Sequence, residues 1–211
     1  LRGAKPERAI TAHPAVCEAV IRTASECECR DVSIGDSCGV GFSVAVMKEM
    51  GLGESCRKYG VTMAGFKEDV YVENKQGVHA KGFHLAKEVV DADEIISICK
   101  MKTHALEYIT GAVKNQYGCI QGMHKAQGHT IYTSQVSFAK MLVELNLLIK
   151  PRLFIMDGIT AMEGNGPASG DPVDMKVLLL SEDPVALDTV FCRLIHLDPD
   201  TVPTVTFGES M

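Results

Sequence analysis

The sequence is short of positive charge, has no long apolar run, and carries none of the short signatures that would name a chemistry directly. Its formal net charge of −6 excludes general binding to nucleic acid, because that needs clustered Lys and Arg to displace counterions from phosphates. Local basic sites stay open. No apolar run approaches the roughly 20 residues that cross a bilayer, and the longest, Met141 to Ile149, is broken by Glu144 and Asn146. The opening residues LRGAKPERAI lack the h-region of a signal peptide. A cytoplasmic protein that neither spans a membrane nor binds nucleic acid is expected, with its eight cysteines reduced rather than paired as disulfides.

Several absences narrow the chemistry. There is no G-x-x-x-x-G-K-[ST] and no G-x-G-x-x-G after a strand, so nucleotide binding has no support. H-E-x-x-H and an isolated Ser-His-Asp signature are missing too. Cys17, Cys27, Cys29, Cys38 and Cys56 crowd the first quarter without the C-x-x-C-x-x-C spacing of a ferredoxin. Most therefore read as small buried hydrophobes. Cys38, in a glycine loop, and Cys119, between Gly118 and Gly122, are the two placed for reactivity or ligation.

What is present is an α/β rhythm in a chain of 211 residues, 46% apolar and 23% charged, long enough to bury one continuous core. Helices are expected over Pro14–Cys27, Phe42–Met50, Phe83–Val90, Glu107–Tyr117, Thr133–Ile149 and Pro184–Leu197, with a further turn over Glu54–Tyr59, from apolar spacing and from proline at first turns. Strands are expected over Arg30–Gly35, Val61–Ala64, Asp69–Glu73, Glu94–Cys99, Arg152–Met156 and Met175–Leu180. Alternation of this kind predicts one domain over residues 1–211, a Rossmann-like layered sandwich with a mostly parallel sheet and helices on both faces. Ligands of such sheets gather beyond the carboxyl ends of the strands.

One segment concentrates the polar chemistry: Lys100 to Lys125, KMKTHALEYITGAVKNQYGCIQGMHK. Lys100, Lys102 and His104 alternate, so an extended backbone projects all three to one side. Thr110 and Lys114 fall four apart, as on one helical face, with Asn115 on the adjacent stripe. Glycines 118, 122 and 128 then alternate with His124, Lys125 and His129, a pattern that offers backbone N–H groups and point charges to an anion. A solvated strand end with surface lysines would look similar at this level. On the acidic side, Asp157 and Glu163 frame a glycine-rich run, DGITAMEGNGP, that would suit a hard cation or a general base. Asp183 is placed to cap a helix, while Asp188 falls among apolar neighbours and needs a partner.

Three blocks together, ADEIISICKMKTHALEYITGAVKNQYGCIQGMHK, MDGITAMEGNGPASGDP and SEDPVALDTV, resemble the domain of unknown function 362 family. The likeness spans nearly the whole chain, and the pairing of K-x-K-T-H with T-G-x-x-K-N is its specific element. The family has no generally assigned reaction and is often associated with iron–sulfur proteins. The resemblance carries over to Lys100, Lys102, His104, Thr110, Lys114, Asn115, Asp157, Glu163 and Asp188. The chain departs from many relatives in lacking a leading strand with a Lys-Pro-Asn turn and a ferredoxin module. It is therefore expected to be a fragment, missing its natural N-terminal strand and any C-terminal ferredoxin module.

These readings converge on an enzyme domain that binds a small anionic molecule. Lys102, His104 and Lys114 are its candidate catalytic groups, with His104 as general acid or base. Lys100, Thr110, Asn115, Lys125 and His129 are candidate ligand-binding residues, and Asp157, Glu163 and Asp188 would hold a divalent metal. Two rivals accompany it: an iron–sulfur or redox protein that carries or docks a cluster, with a ferredoxin-like module or partner, and a non-catalytic ligand-binding module.

Overall fold

A computed structural model describes residues 3–38 and 43–210. The glycine loop after the first strand is thus described as far as Cys38. Gly39, Val40, Gly41 and the Phe42 start of the expected second helix lie outside the described residues.

The chain runs α1 (Pro14–Glu26), β1 (Ser33–Gly35), α2 (Ser43–Glu49), α3 (Leu52–Tyr59), β2 (Thr62–Ala64), β3 (Asp69–Glu73), β4 (Gly82–Ala86), α4 (Lys87–Val90) and β5 (Ile96–His104). It continues through β6 (Tyr108–Thr110), α5 (Ala112–Asn115), α6 (Gly122–Ile131), α7 (Gln135–Ile149), β7 (Leu153–Glu163), β8 (Asp171–Ser181), α8 (Pro184–Leu194) and α9 (Pro203–Glu209). Helix ends follow their local chemistry. His13 caps α1 through Nδ1, which accepts from the Ala15 N–H, and Asp183 caps α8 by accepting from Val185 and Ala186. Lys150 turns left-handed ahead of Pro151 and stops α7.

The α/β class is as expected, but the sheets are mixed in direction rather than mostly parallel. The central sheet has the order β6-β5-β7-β8, in which β5–β7 is parallel while β5–β6 and β7–β8 are antiparallel. The short β1–β2 pair is parallel, and β3–β4 is an antiparallel hairpin. The physical reason is connection length. Parallel neighbours need a crossover of a dozen or more residues, and both β5-to-β6 and β7-to-β8 return by short turns.

Three element assignments change with this topology. Phe83–Val90 opens as strand β4, paired residue by residue with β3, and only Lys87–Val90 is helical. Glu107–Tyr117 breaks into a turn, the strand β6 and the short α5, because Thr110 pairs with Lys102 across the ladder. The strand begun at Leu153 runs on through Asp157 to Glu163, so Asp157 sits mid-strand.

Helices cover both faces of β5. Cys99 and Met101 pack with Leu187, Phe191, Val202 and Val205 of the C-terminal region, while Ile98 on the other face packs against the α1–α3 cluster. Helix α7 supplies a second core with Phe138, Leu142 and Leu145. Its polar interruptions are structural. Glu144 accepts hydrogen bonds from the N–H groups of Val78, His79 and Ala80, each at 2.8 Å, and Asn146 Nδ2 donates to the Val113 carbonyl. Among the described residues, no helix is long and apolar enough to cross a membrane.

Candidate functional site

Strand β5 stays extended through His104, so Lys100, Lys102 and His104 do lie on one side of it. Their surroundings differ sharply. Lys100 Nζ donates to Asp157 Oδ2 at 2.6 Å and to the Thr160 carbonyl at 2.8 Å, with both side chains buried. Asp157 also accepts from the N–H groups of His13 and Ile159. Each charge is answered within the fold, as a buried charge requires.

Beyond Lys100 the strand enters a group of basic side chains. Lys102 Nζ donates to the carbonyls of Ile10 and Pro167, at 2.6 and 3.2 Å. Burial brings its pKa down to about 8, with Lys100 adding to the effect and Asp36 opposing it. Lys114, on α5, is brought to about 8 by burial and by the charges of Lys102 and Lys125, against Glu107 and Asp36. Lys125, on α6, is also lowered by burial, and its Nζ reaches the Ser37 carbonyl at 2.7 Å. His129, one turn further on, stacks on Phe138 with centroids 4.8 Å apart and is lowered by burial and the same two lysines.

His104 is the most displaced member. Burial, then Lys114, Lys102 and His129, drive its pKa down to about 3, so the ring is neutral at physiological pH. Its Nδ1 accepts from the N–H groups of Leu106 and Glu107, at 3.1 and 3.2 Å. The neutral ring must then carry its proton on Nε2, which makes that nitrogen a donor.

Among the described residues, two buried polar groups beside the lysines have no hydrogen-bond partner. Both carboxyl oxygens of Glu107 and the Thr110 hydroxyl make no hydrogen bond. Such atoms are uncommon in folded proteins and call for an explanation. Burial pushes Glu107 up to about 7, with Lys114 opposing the rise. Sequence reasoning passed over Glu107 because the expected helix gave it no distinct place; the turn ahead of β6 is what buries it. Thr110 and Lys114 share no helical face, since Thr110 belongs to β6.

Other sequence-selected residues lie elsewhere. The Asn115 amide donates to Ser97 Oγ and the Ile98 carbonyl, fastening α5 to β5. Asp188 accepts from the N–H groups of Ala112 and Val113, and burial pushes it up to about 7 against those two donors. Glu163 is exposed at the end of β7. Asp157, Glu163 and Asp188 therefore do not converge. Among the described residues, one set of three metal-ligating side chains does: Asp69, His84 and His124.

Cys17, Cys38, Cys56, Cys99 and Cys192 are buried, Cys27 and Cys29 exposed, and no three converge among the described residues. Burial pushes the Cys119 thiol up to about 12, which keeps it protonated at physiological pH. A cavity of about 320 Å³ lies apart from the basic group, between α7 and the start of α8, lined by Val113, Val143, Leu147, Pro151 and Phe154.

Fold and site together define a mixed α/β protein in which a group of buried basic side chains, with Glu107 and Thr110 beside it, gathers at the carboxyl end of strand β5. Residues 2–193 match the family described as a domain of unknown function (DUF362), and the chain belongs to that family. It is also 34% identical over 212 residues to a thylakoid-associated protein of Synechocystis sp.. That match covers all of this chain and 65% of the relative, so the chain spans under two thirds of the relative's length.

Proposed function

We propose that this chain is an enzyme domain that binds a small anionic substrate between Lys102, Lys114 and Lys125. The observation that carries the reading is the unanswered polar chemistry there. Among the described residues the Glu107 and Thr110 side chains, beside Lys114, are buried without hydrogen-bond partners, and burial with the charges of Lys102 and Lys125 holds Lys114 below its ordinary pKa. An anion would neutralise the lysines in a place of low dielectric, where such contacts are strong.

The roles within that site follow from protonation. His104, neutral with Nε2–H, serves as a hydrogen-bond donor to the bound anion, or to negative charge developing on it, and not as a base. Acid–base work falls instead to Glu107 and Lys114, whose pKa values of about 7 and about 8 lie close to each other and to physiological pH. Lys102, held by two carbonyls, supplies fixed positive charge. Lys100, Asp157, Asn115 and Asp188 support the frame.

Calorimetric titration with inorganic phosphate and with malonate tests the reading. Lys114→Ala should weaken binding by at least tenfold while the melting temperature holds or rises, because a desolvated cation has been removed. His104→Asn keeps an acceptor for the Leu106–Glu107 turn but loses Nε2–H, and should weaken binding without unfolding the chain. Unchanged affinity in both variants, or unfolding of Lys114→Ala, would overturn the proposal.

A further inference from the structure

We infer that Asp69, His84 and His124 form a binding site for a divalent transition-metal ion, joining the β3–β4 hairpin to helix α6. The ligand atoms already lie together. His84 Nδ1 is 2.6 Å and His124 Nε2 3.7 Å from the same Asp69 oxygen, and all three atoms lie within 4.8 Å of one another. Ligands bound at about 2.0–2.2 Å in tetrahedral geometry stand roughly 3.3 Å apart, so the spacing is close to that of a bound set, and rotation of the His124 ring out of its stack on His84 brings both lone pairs onto one ion.

The fold brings these residues together by two independent means. On the hairpin, Tyr71 pairs with His84 and Asp69 with Ala86, which puts Asp69 and His84 on one face as diagonal neighbours. Helix α6 is then registered on β4 from above: the Gln121 N–H donates to the His84 carbonyl, and Leu85 bridges to Ile120. That register lays the His124 ring flat over His84, with centroids 3.8 Å apart and planes within 6°.

A further contact bears on the chemistry. His124 Nδ1 lies 3.0 Å from Gln127 Oε1, and in the tautomer that carries the proton on Nδ1 this is a hydrogen bond that leaves the Nε2 lone pair facing Asp69. A partner on the far nitrogen of this kind accompanies metal-binding histidines and fixes their tautomer. On binding, His84 releases its hydrogen bond to Asp69 and offers the Nδ1 lone pair, its proton resting on Nε2. Two imidazoles and one carboxylate favour zinc, cobalt, nickel or copper over magnesium and calcium, which prefer oxygen ligands alone. The side chains keep 27–40% of their exposure, leaving room for water or another ligand on the ion.

The ion would also fasten α6. This helix has no buried residue, yet it carries Lys125 and His129. Metal bound at its first turn would hold it against the hairpin independently of any anion bound at the lysines.

Equilibrium dialysis of zinc against the tag-free chain, with Cys27 and Cys29 changed to Ser to remove the exposed thiols, tests the site. One equivalent should bind. His124→Ala and His84→Ala should each weaken it by at least tenfold, and Gln127→Ala by roughly 10-fold, the lower end of outer-shell effects. Cobalt should give visible bands without thiolate charge transfer, and zinc should slow amide exchange across residues 122–131 only where His124 is present. His124 sits on the exposed helix, so its variant stays interpretable if His84→Ala fails to fold. No binding at 100 equivalents of zinc, or equal affinity in wild type and His124→Ala, overturns the inference.

Discussion

Lys100 and Asp157 stand opposite each other in the parallel β5–β7 ladder, and their side chains close a buried ion pair at 2.6 Å. Two residues that sequence alone offers to a ligand and a metal are each other's partner. Asp157 also holds the N–H groups of His13 and Ile159, so it ties the start of α1 to the sheet. Asp157→Ala should therefore cost more than Lys100→Met, since it strands a buried ammonium and two backbone donors. Breaking a buried pair costs about 3–5 kcal/mol, and urea unfolding of both single variants and the double should give a coupling of about 1–3 kcal/mol. Additive losses would mean the pair is not coupled.

Protonation of the basic group sets two pH dependences. Anion affinity should fall as pH rises through about 8, where Lys102 and Lys114 lose their protons. Stability of the ligand-free chain should move the other way. Between about pH 8 and 10.5 the unfolded lysines still hold protons that the folded ones have lost, so folding gains from rising pH in that window. Denaturant unfolding of wild type and Lys114→Met at pH 7.5 and 9.5 should show the gap between them narrowing at the higher pH.

Glu107 should leave the opposite mark. Its folded pKa of about 7 stands above its ordinary 4.5, so the folded state holds a proton that the unfolded state has released. Its contribution is present below about pH 4.5 and is lost as pH rises to about 7. Glu107→Gln should remove that part of the slope, measured by unfolding at pH 5 and pH 7.5, and should abolish turnover if the residue shares its proton with Lys114.

Gly111 and Asp188 make a fourth test. A Cβ at Gly111 would overlap the Asp188 carboxylate, which sits there to receive the Ala112 and Val113 N–H groups. Gly111→Ala and Asp188→Ala should each destabilise by about 2 kcal/mol, through loss of hydrogen bonds to buried backbone donors. Thermal melts of both variants and of their combination should show the second change adding little to the first.

Glu144 on α7 receives three backbone N–H groups from the loop between β3 and β4. Glu144→Ala leaves those donors unpaired and should lower stability by about 2–4 kcal/mol, with protease cleavage appearing first in the 74–80 loop. Resistance of that loop equal to wild type would argue against the contact.

The sequence by itself determined the elements whose evidence is local. Proline and Asp183 at the start of α8, His13-Pro14 at the start of α1, and the apolar face of α7 ending at Lys150-Pro151 all appear where spacing and capping put them. So does the projection of Lys100, Lys102 and His104 to one side of an extended strand, since alternation is a property of the backbone. Only the tertiary structure decided which of those charges are spoken for. Lys100 meets Asp157 across 57 residues, and Asp188 meets α5 across 75 and 76, so their roles depend on strand pairing that no local pattern encodes. The same holds for strand direction, and for the stacking of His124 from α6 on His84 from β4. Side chains distant in sequence become partners only when hydrogen-bonded strands and packed helices fix their register.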